Sequence, residues 1–463
     1  MLDVKPKNLI ILVVTIAVGF AVANLPAPAG LERPAMVYLG IFAGLLILLV
    51  TNALPTWASC LGALSVMAIC QVAPIADVFD AFSGSIFWLM VAVFAFATAI
   101  GNSGLMDRLA LKMLTIFPKN YRGQVLSLMA AGFIMSPLIP SSNAKVNLLI
   151  PMATAMTEQV GYKPHSKAAL GLFTATFLPS YMGSYAFLTG TVNVAFFLGV
   201  LKLQFTWIGW LSVTFVWLIV LLIGTYVFCM TYCKPKEKLD LPGDYFEGKY
   251  HELGSMKPQE KLTAIVVIAA LVLWITQPLH GIDAGMVCMV ATIVLVAFNV
   301  LTGSDFNTRM PWGLLIFIGA LISVGNLMQP LGINDWLAGL LAPVLTPIAS
   351  NVWVFVPALL LITWALRAVI PAQGVVLIVL AAVFASVLPA AGISLFVLGF
   401  VEHPAGNIWF NKFQNPFIMG TLGVAGNKYV TIKEFKKSAY AFMVITLVGC
   451  MASIPLWSAM GLC

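Results

Sequence analysis

Charged side chains are scarce in this sequence, since Asp, Glu, Lys and Arg make up only 9% of its 463 residues. A water-soluble domain carries about 25% charged residues, so this scarcity excludes a protein whose surface lies mainly in water. Hydrophobic residues make up 61% of the chain, and several apolar runs approach the roughly 20 residues that cross a bilayer as a helix. The composition predicts an all-α polytopic membrane protein.

Cysteine is also sparse, and the seven cysteines are scattered singly along the chain. Cys229 and Cys233 lie four residues apart without a His or acidic neighbour in metal-binding spacing, so we interpret them as small apolar residues. No Ser-His-Asp set is visible either. These absences argue against an enzyme. The net charge of +7 comes from cations clustered in short loops between apolar runs, so nucleic acid is not expected as a partner.

The loop cations predict a topology, because cytoplasmic loops of membrane proteins carry an excess of Lys and Arg. We place Lys5 and Lys7 in the cytoplasm and interpret the first apolar run as a membrane span rather than a removed signal. The predicted crossings lie near residues 8–25, 36–54, 57–75, 84–101, 168–201, 206–229, 262–277, 285–302, 311–328, 393–425 and 438–457. This arrangement puts 19 of the 24 Lys and Arg residues at the inner face, and it leaves the C-terminus outside.

Two further apolar segments, 123–160 and 345–390, are predicted to be re-entrant hairpins. A single crossing by either segment would invert every later loop and destroy the charge asymmetry. Their centres, 137–143 and 370–374, contain proline with polar or small residues, which do not continue a helix. The chain should therefore contain about eleven transmembrane helices and two re-entrant hairpins.

The two halves of the chain repeat the same order of features. Residues 85–117 and 311–343 each contain an apolar span, a glycine-containing turn and an amphipathic stretch, followed by a hairpin and an interrupted span. Each copy has an odd number of crossings, so the copies have opposite orientation, as in secondary transporters with a site near the bilayer midplane. The predicted divisions are an N-terminal span and loop (1–35), a first inverted repeat (36–232) with an inner hairpin (123–160), a cytoplasmic loop (233–261), and a second inverted repeat (262–463) with an outer hairpin (345–390).

Polar residues at the first hairpin centre are candidates for binding. Ser141, Ser142 and Asn143 lie where a half-helix begins, and its free N–H groups and positive dipole end suit an anion. Their oxygens can also bind Na⁺, or the side chains can simply cap the helix. Lys145 follows, and it can face the anion, fill a vacant cation position or extend to the cytoplasmic surface.

The interrupted spans contain the other candidates, because polar residues break an apolar run there as a substrate- or ion-lining segment does. Gly and Thr also serve close helix contacts in membranes. The candidates are Thr189, Gly190 and Asn193 in the first half, and Glu402, His403, Pro404 and Asn407 in the second half. A Glu402–His403 pair can relay protons or bind a cation. Equally, Glu402 can neutralise Arg367 or Lys412, the other charges at membrane depth.

At these residues the chain resembles the divalent anion/sodium symporter family, within the wider ion transporter superfamily. The resemblance covers nearly the whole length and rests on the span order, the segment GNSGLMDRLALKML, the hairpin IPSSNAKVNLLIP and the stretch FLTGTVN. Hairpin tips in this family typically carry Ser-Asn-Thr. Ser142 and Asn143 match the first two positions, and Ala144 replaces the Thr. In the second hairpin, Gln373 and Gly374 stand where Ser-Asn is expected.

The resemblance implies an elevator-type homodimer in a cell (inner or plasma) membrane, which moves sulfate or a di- or tricarboxylate such as succinate, malate or citrate. It implies Na⁺ as the coupling ion, with proton coupling or anion exchange as the alternative and a passive anion channel as the second alternative. The implied Na⁺ ligands are Ser142, Asn143, Gly190 and Asn193 at a first site, and Gly374 and Asn407 at a second site. The implied substrate contacts are Ser141, Ser142, Asn143, Lys145, Thr189, Gln373, Gly374 and Pro404.

Overall fold

A computed structural model describes residues 6–237, 239–370, 372–385, 387–410 and 414–463, and the side chains at positions 6, 143, 342, 344, 416, 417 and 419 are outside the description. Regular structure within the described ranges is entirely helical. This is the architecture that a chain poor in charge adopts in a bilayer, where a helix satisfies all its own backbone hydrogen bonds.

The first half contains long apolar helices and two interruptions. Its helices are α1 (Pro6–Ala23), α2 (Arg33–Thr51), α3 (Thr56–Ile69), α4 (Ile75–Val78), α5 (Asp80–Ser83), α6 (Ser85–Ser103), α7 (Leu105–Ile116), α8 (Tyr121–Met135), α9 (Ser142–Val160), α10 (Lys167–Phe177), α11 (Val192–Val200) and α12 (Trp207–Thr231). Between α10 and α11 the chain forms a π-helical turn at Leu178–Met182 and a 3₁₀ turn at Gly183–Ala186.

The second half follows a similar order after a polar loop. Its helices are α13 (Tyr245–Glu252), α14 (Pro258–Ile275), α15 (Gln277–His280), α16 (Ala284–Ala297), α17 (Gly303–Thr308), α18 (Trp312–Asn326), α19 (Ile333–Ala349), α20 (Val352–Val369), α21 (Gln373–Phe384), α22 (Val387–Ala390), α23 (Leu395–Gly406), α24 (Pro416–Val424) and α25 (Ile432–Ala459).

Among the described residues, six helices are long and apolar enough to cross a membrane, namely α2, α6, α12, α14, α20 and α25. Shorter apolar helices, such as α3, α16, α18 and α21, have 10–17 residues. A crossing needs roughly 20 apolar residues, so helix length alone does not fix the number of crossings. The count of eleven stays a prediction.

The two predicted hairpins correspond to the helix pairs α8–α9 and α20–α21. The ends of α8 and α9 that lie away from their junction are close together. There the rings of Tyr121 and Tyr162 lie 6.1 Å apart, and the Tyr162 hydroxyl donates to Gln124 Oε1 at 3.2 Å. The ends of α20 and α21 that lie away from their junction are also close together, with the ring centres of Phe355 and Phe384 5.4 Å apart. Each pair therefore turns back on itself. We call the α8–α9 junction the first tip and the α20–α21 junction the second tip.

The predicted start of the second hairpin was wrong. Residues 345–349 belong to α19, and α20 begins only at Val352, where the Asn351 side chain accepts from Trp353 N at 2.9 Å. The sequence on both sides of this boundary is equally apolar, so hydropathy did not mark it. Pro371, at the predicted hairpin centre, lies outside the described residues.

Hydrogen bonds between helix ends and loops define two groups of helix ends, one on each side of the fold. Asn102 donates to Val300 O at 3.2 Å and accepts from Arg309, whereas Asn326 donates to Asp80 at 3.1 Å. Each contact joins loops that the charge pattern assigns to one side of the membrane. Which side is cytoplasmic, and whether the two repeats have opposite orientation, stay predictions.

Aromatic side chains fill the interior behind the second interrupted span, between α12, α23 and α25. Phe400 of α23 packs against Trp217 of α12 at 5.6 Å and against Trp457 of α25 at 6.0 Å. Such rings contribute large buried areas and fixed geometry. This packing fixes the position of α23, the helix that carries the polar residues described next.

Candidate functional site

A cavity of about 750 Å³ lies beside the second tip. Its walls come from the α2–α3 turn, from α18 and from α20, α21 and α23, with two residues from α11. Apolar side chains such as Phe196, Phe317 and Leu377 form part of the lining. The polar lining residues are Asn52, Thr56, Asn193, Arg367, Gln373, Glu402, His403, Asn407, Gln414 and Asn415. Apolar walls with a few convergent polar groups are typical of small-molecule sites.

The first turn of α21 opens into this cavity. α21 begins at Gln373 after Ala372, which provides no side-chain cap, so the N-terminal N–H groups of α21 present a positive dipole end. A Cβ at Gly374 would lie 3.0 Å from both Phe196 Cζ and Leu321 Cδ2. Glycine therefore lets the helix end approach these side chains closely, and the helix end forms part of the cavity wall.

Amide side chains next to this helix end are linked by hydrogen bonds. Asn407 Nδ2 donates to Gln373 Oε1 at 2.7 Å, and its Oδ1 accepts from the Tyr181 hydroxyl at 2.7 Å. Gln373 Nε2 in turn donates to His403 O at 2.9 Å. The network joins the second tip to both interrupted spans, so the amide groups at the cavity are held in fixed positions.

Arg367, near the end of α20, is only 2% exposed. Its Nε donates to Gly406 O at 2.6 Å, its Nη1 donates to Ile370 O at 2.8 Å, and its Nη2 donates to Gln414 O. These carbonyl groups lie where α20 and α23 end and in the break after α23. The guanidinium group thus donates hydrogen bonds to carbonyl oxygens that have no helical partner, and it adds a positive charge to the cavity wall.

Glu402 also lines the cavity and is fully buried. Neither carboxylate oxygen has a hydrogen-bond partner among the described residues, and the imidazole Nδ1 of His403 lies 3.8 Å from Oε2. The described residues show no ion pair between Glu402 and Arg367, whose donors bond backbone oxygens. The two side chains nevertheless interact electrostatically, so neutralisation of Arg367 by Glu402 stays one of the two alternatives. Lys412, the other expected partner, lies outside the described residues.

The first tip is packed much more tightly. Ser141 caps α9 by accepting from Ala144 N at 3.3 Å, and Ser142 is buried. The adjoining cavity, lined by Pro140, Thr189 and Thr191 among others, measures about 10 Å³. Ser141 therefore makes the cap contact of the capping alternative, and a binding role for it stays a prediction. Asn143 lies in the first turn of α9, and its side chain is outside the described part of the structure.

Thr189 links the first tip to α12 by hydrogen bonds. Its hydroxyl donates to Pro137 O at 2.9 Å and accepts from Trp207 Nε1 at 3.1 Å. The Trp207 ring stacks on Trp274 of α14 at 5.9 Å. Thr189 therefore has a structural role that the sequence did not reveal.

Lys145 does not extend to a surface, because its side chain is fully buried. The ammonium group donates to Ser184 Oγ and, at 3.1 Å, to Gly190 O. A Cβ at Gly190 would lie 2.3 Å from Ser184 O and 2.8 Å from Ser136 O, so backbone oxygens crowd this point. Of the alternatives for Lys145, extension to the cytoplasmic surface does not fit this structure, because Ser184 and Gly190 hold the side chain inside the protein.

The structure divides the predicted site residues between the two tips. Asn193, expected near Ser142 and Gly190, lines the large cavity instead. Pro404 is buried within α23 and is not part of the cavity lining. The predicted residues that meet at the large cavity are Asn193, Arg367, Gln373, Gly374, Glu402, His403 and Asn407.

Sequence reasoning missed several contributors. Ser184 contacts Lys145, Tyr181 orients Asn407, and Asn52 and Thr56 reach the cavity from the distant α2–α3 turn. The polar residues in the interrupted span 168–201 were a usable signal for Ser184. No local signal connected the α2–α3 turn to the second half.

Residues 6–462 match the protein family described as the sodium:sulfate symporter transmembrane region. The chain is 29% identical over 342 residues to a candidate malate transporter of Bacillus subtilis (strain 168), covering 71% of each protein. It is 26% identical over 339 residues to dicarboxylate transporter 1, chloroplastic, of Arabidopsis thaliana, covering 70% of this chain and 60% of that protein. The matched family is one of transporters and not of enzymes.

A solved structure shares the fold. The YdaH transporter of Alcanivorax borkumensis superposes with a TM-score of 0.60 at 13% identity, covering 93% of this chain and 99% of that chain. The all-helical polytopic membrane architecture predicted from composition is thereby confirmed.

Proposed function

Because the chain belongs to the sodium:sulfate symporter family, we propose that it is a secondary transporter of a dicarboxylate, which binds in the large cavity at the second tip. The observation that carries this proposal is the start of α21, where helix N–H groups, Gln373 and Asn407 converge beside the positive charge of Arg367. Helix N-termini and amide donors suit carboxylates. The names of the Bacillus and Arabidopsis relatives support a dicarboxylate over sulfate.

Transport is proposed to follow alternating access by an elevator motion in a homodimer. The cavity is bounded on one side by the α2–α3 turn and α18, and on the other by the second hairpin and α23. In this scheme the hairpins and interrupted spans move as one body past the other helices. The charge pattern predicts that the α2–α3 turn is cytoplasmic, so the cavity is proposed to open inward.

The family description supports Na⁺ as the coupling ion, with candidate positions near Gly190 at the first tip and near Gly374 and Asn407 at the second. The second candidate function is anion exchange without Na⁺. The contacts of Lys145 and Arg367 with backbone oxygens favour it, because these cationic groups already occupy oxygen-rich positions at both tips.

Reconstitution tests the proposal. We expect proteoliposomes containing the purified chain to take up radiolabelled malate or succinate in a saturable manner, with competition by the other dicarboxylate. Imposed Na⁺, H⁺ and counter-anion gradients, applied separately, identify the driving force.

Absence of flux for malate, succinate, citrate and sulfate under all three gradients would contradict the proposal. A large, non-saturating conductance in electrical recordings would instead assign a passive anion channel. Empty liposomes provide the matched control.

A further inference from the structure

We propose that Lys167, Tyr232 and Lys437 form a site for the headgroup of an anionic phospholipid at one membrane surface. These three residues, called the basic-aromatic cluster below, lie where α10 begins, α12 ends and α25 begins. None of them lines the large cavity. The site is therefore separate from that of the transported anion, and its test does not depend on the proposed function.

Two ammonium groups of this cluster face the same aromatic ring. Lys167 Nζ lies 4.5 Å and Lys437 Nζ lies 5.9 Å from the centre of the Tyr232 ring. The Tyr232 ring stacks on Phe228 of α12 at 5.3 Å, with an angle of 14° between the rings. All three cluster residues are exposed, so an anion outside the protein has access to both ammonium groups.

The positive charge of the cluster is not compensated within the described part of the chain. There, neither Lys167 nor Lys437 forms an ion pair or donates a hydrogen bond, and both contact the Tyr232 ring instead. The acid one turn earlier on α25, Glu434, accepts from Thr431 N–H at 2.9 Å and lies 3.5 Å from His165 Nδ1. Because two neighbouring cations repel each other, an anion held between them is stabilised.

The start of α10 adds to this positive potential. Lys167 is the first residue of α10, and a helix N-terminus carries a partial positive charge that favours anions over lysine. The C-terminal end of α12 at Tyr232 offsets this charge only in part. A phosphate group between the two lysines would meet both ammonium groups and the start of α10.

The position of the cluster at the ends of membrane helices indicates a lipid as the source of the phosphate. Both α12 and α25 are long and apolar enough to cross a membrane. They lie antiparallel, because Trp457 near the end of α25 donates to Val213 O near the start of α12 at 2.8 Å. The cluster therefore lies at the boundary of the bilayer, where basic pockets between helices bind anionic headgroups.

The two helices also provide surfaces for acyl chains. Residues four apart lie on one face of a helix, and α12 and α25 each carry such a row of exposed apolar side chains leading away from the cluster. The rows are Phe215, Ile219, Ile223 and Val227 on α12, and Tyr440, Val444 and Val448 on α25. A phospholipid thus matches both parts of this surface, whereas a soluble anion matches only the lysines.

Native mass spectrometry of the purified chain in detergent measures the binding directly. Phosphatidylglycerol, which is anionic, and phosphatidylcholine, which is zwitterionic, are titrated separately. We expect one phosphatidylglycerol to bind about 30-fold more tightly than phosphatidylcholine, from the attraction of two lysines. Equal affinity for the two lipids would overturn the proposal.

Paired substitutions locate the site. The double variant Lys167→Gln with Lys437→Gln should bind phosphatidylglycerol as weakly as phosphatidylcholine, whereas Lys167→Arg with Lys437→Arg keeps the charge and should retain the preference. Lys257→Gln with Lys261→Gln removes two exposed cations at the start of α14 and is the charge-matched control, with affinity unchanged within about twofold. Unchanged affinity in the first variant, or an equal loss in the control, would contradict the assignment.

Thermal unfolding distinguishes a lipid from a soluble phosphate. Because a ligand that binds only the folded state raises Tm, phosphatidylglycerol should raise the Tm of the unaltered protein by about 2–4 °C. Inorganic phosphate at the same ionic strength should leave Tm unchanged. An equal rise with inorganic phosphate would assign the site to a soluble anion and overturn the lipid proposal. If the glutamine variant fails to fold, the two comparisons on the unaltered protein still decide the matter.

Discussion

The two hairpin tips share an architecture and differ in what they enclose. The first tip closes around the ammonium of Lys145 and leaves a cavity of about 10 Å³. The second tip faces a cavity of about 750 Å³ and keeps its cation, Arg367, in the wall. Glu402 lies in the same cavity wall, and its buried carboxylate has no hydrogen-bond partner among the described residues. The two hairpins therefore differ in role: the first is packed around Lys145, and the second forms part of the proposed binding surface.

The largest expected effect tests whether Arg367 holds the second tip together. Arg367→Met leaves the carbonyl oxygens of Ile370, Gly406 and Gln414 without this donor. A buried acceptor left without its donor costs about 1–3 kcal/mol, and three are left here, so we expect transport to fall by about 100-fold or more. Uptake assays with size-exclusion profiles measure this loss. Arg122→Met, at an exposed residue at the start of α8, is the control and should transport normally. Normal uptake by Arg367→Met would remove Arg367 from the site.

Glycine substitutions sharpen the contrast between the packed and the open tip. Gly190→Ala should destabilise the protein by about 1–3 kcal/mol, because its Cβ would meet backbone oxygens at 2.3 and 2.8 Å. Gly374→Ala meets only side chains at 3.0 Å, so it should cost less stability but raise KM at the cavity.

Thermal unfolding and uptake kinetics separate these two glycine effects. Gly339→Ala, an exposed helical position with nothing within 4 Å of an added Cβ, should leave KM unchanged and raise the stability by at most about 1 kcal/mol, because alanine favours a helix over glycine. Equal loss of stability at positions 190 and 374 would contradict the contrast.

Polar truncations at the two tips provide a smaller test. Gln373→Ala breaks the contacts with Asn407 and His403 at the cavity, and KM should rise about tenfold, since a hydrogen bond to a charged group contributes about 1.5–3 kcal/mol. Ser141→Ala removes only a helix cap, which costs about 1 kcal/mol of stability and should leave KM unchanged. The reverse pattern, with KM raised only by Ser141→Ala, would place the anion at the first tip.

The smallest predicted effect concerns Glu402. A negative charge at Glu402 would repel the anion in the adjoining cavity, so Glu402→Gln should lower KM slightly. His403 on the same helix, Arg367 on α20 and Tyr185 on the 3₁₀ turn also face this group. His403→Gln is therefore the companion variant. Identical KM values for Glu402→Gln and the unaltered protein would leave Glu402 with a structural role only.

Much of this arrangement was predictable, because breaks in apolar runs have local causes. Pro140 with Ser141 marked the first tip, and Gln373 with Gly374 marked the start of α21. The burial of Lys145 was not predictable. It depends on whether Ser184 and Gly190, distant in sequence, lie within reach of the side chain. The contribution of Asn52 was also hidden, because it depends on how two distant parts of the chain pack.

The hydroxyl of Thr189 has one more consequence. It connects the first tip to the indole of Trp207, which lies stacked on Trp274 with an angle of 14° between the rings. A displacement of this tip relative to α14 would separate the two indoles and alter their shared emission. If the proposed elevator motion moves the first hairpin past α14, this Trp207–Trp274 pair would report it without an attached dye.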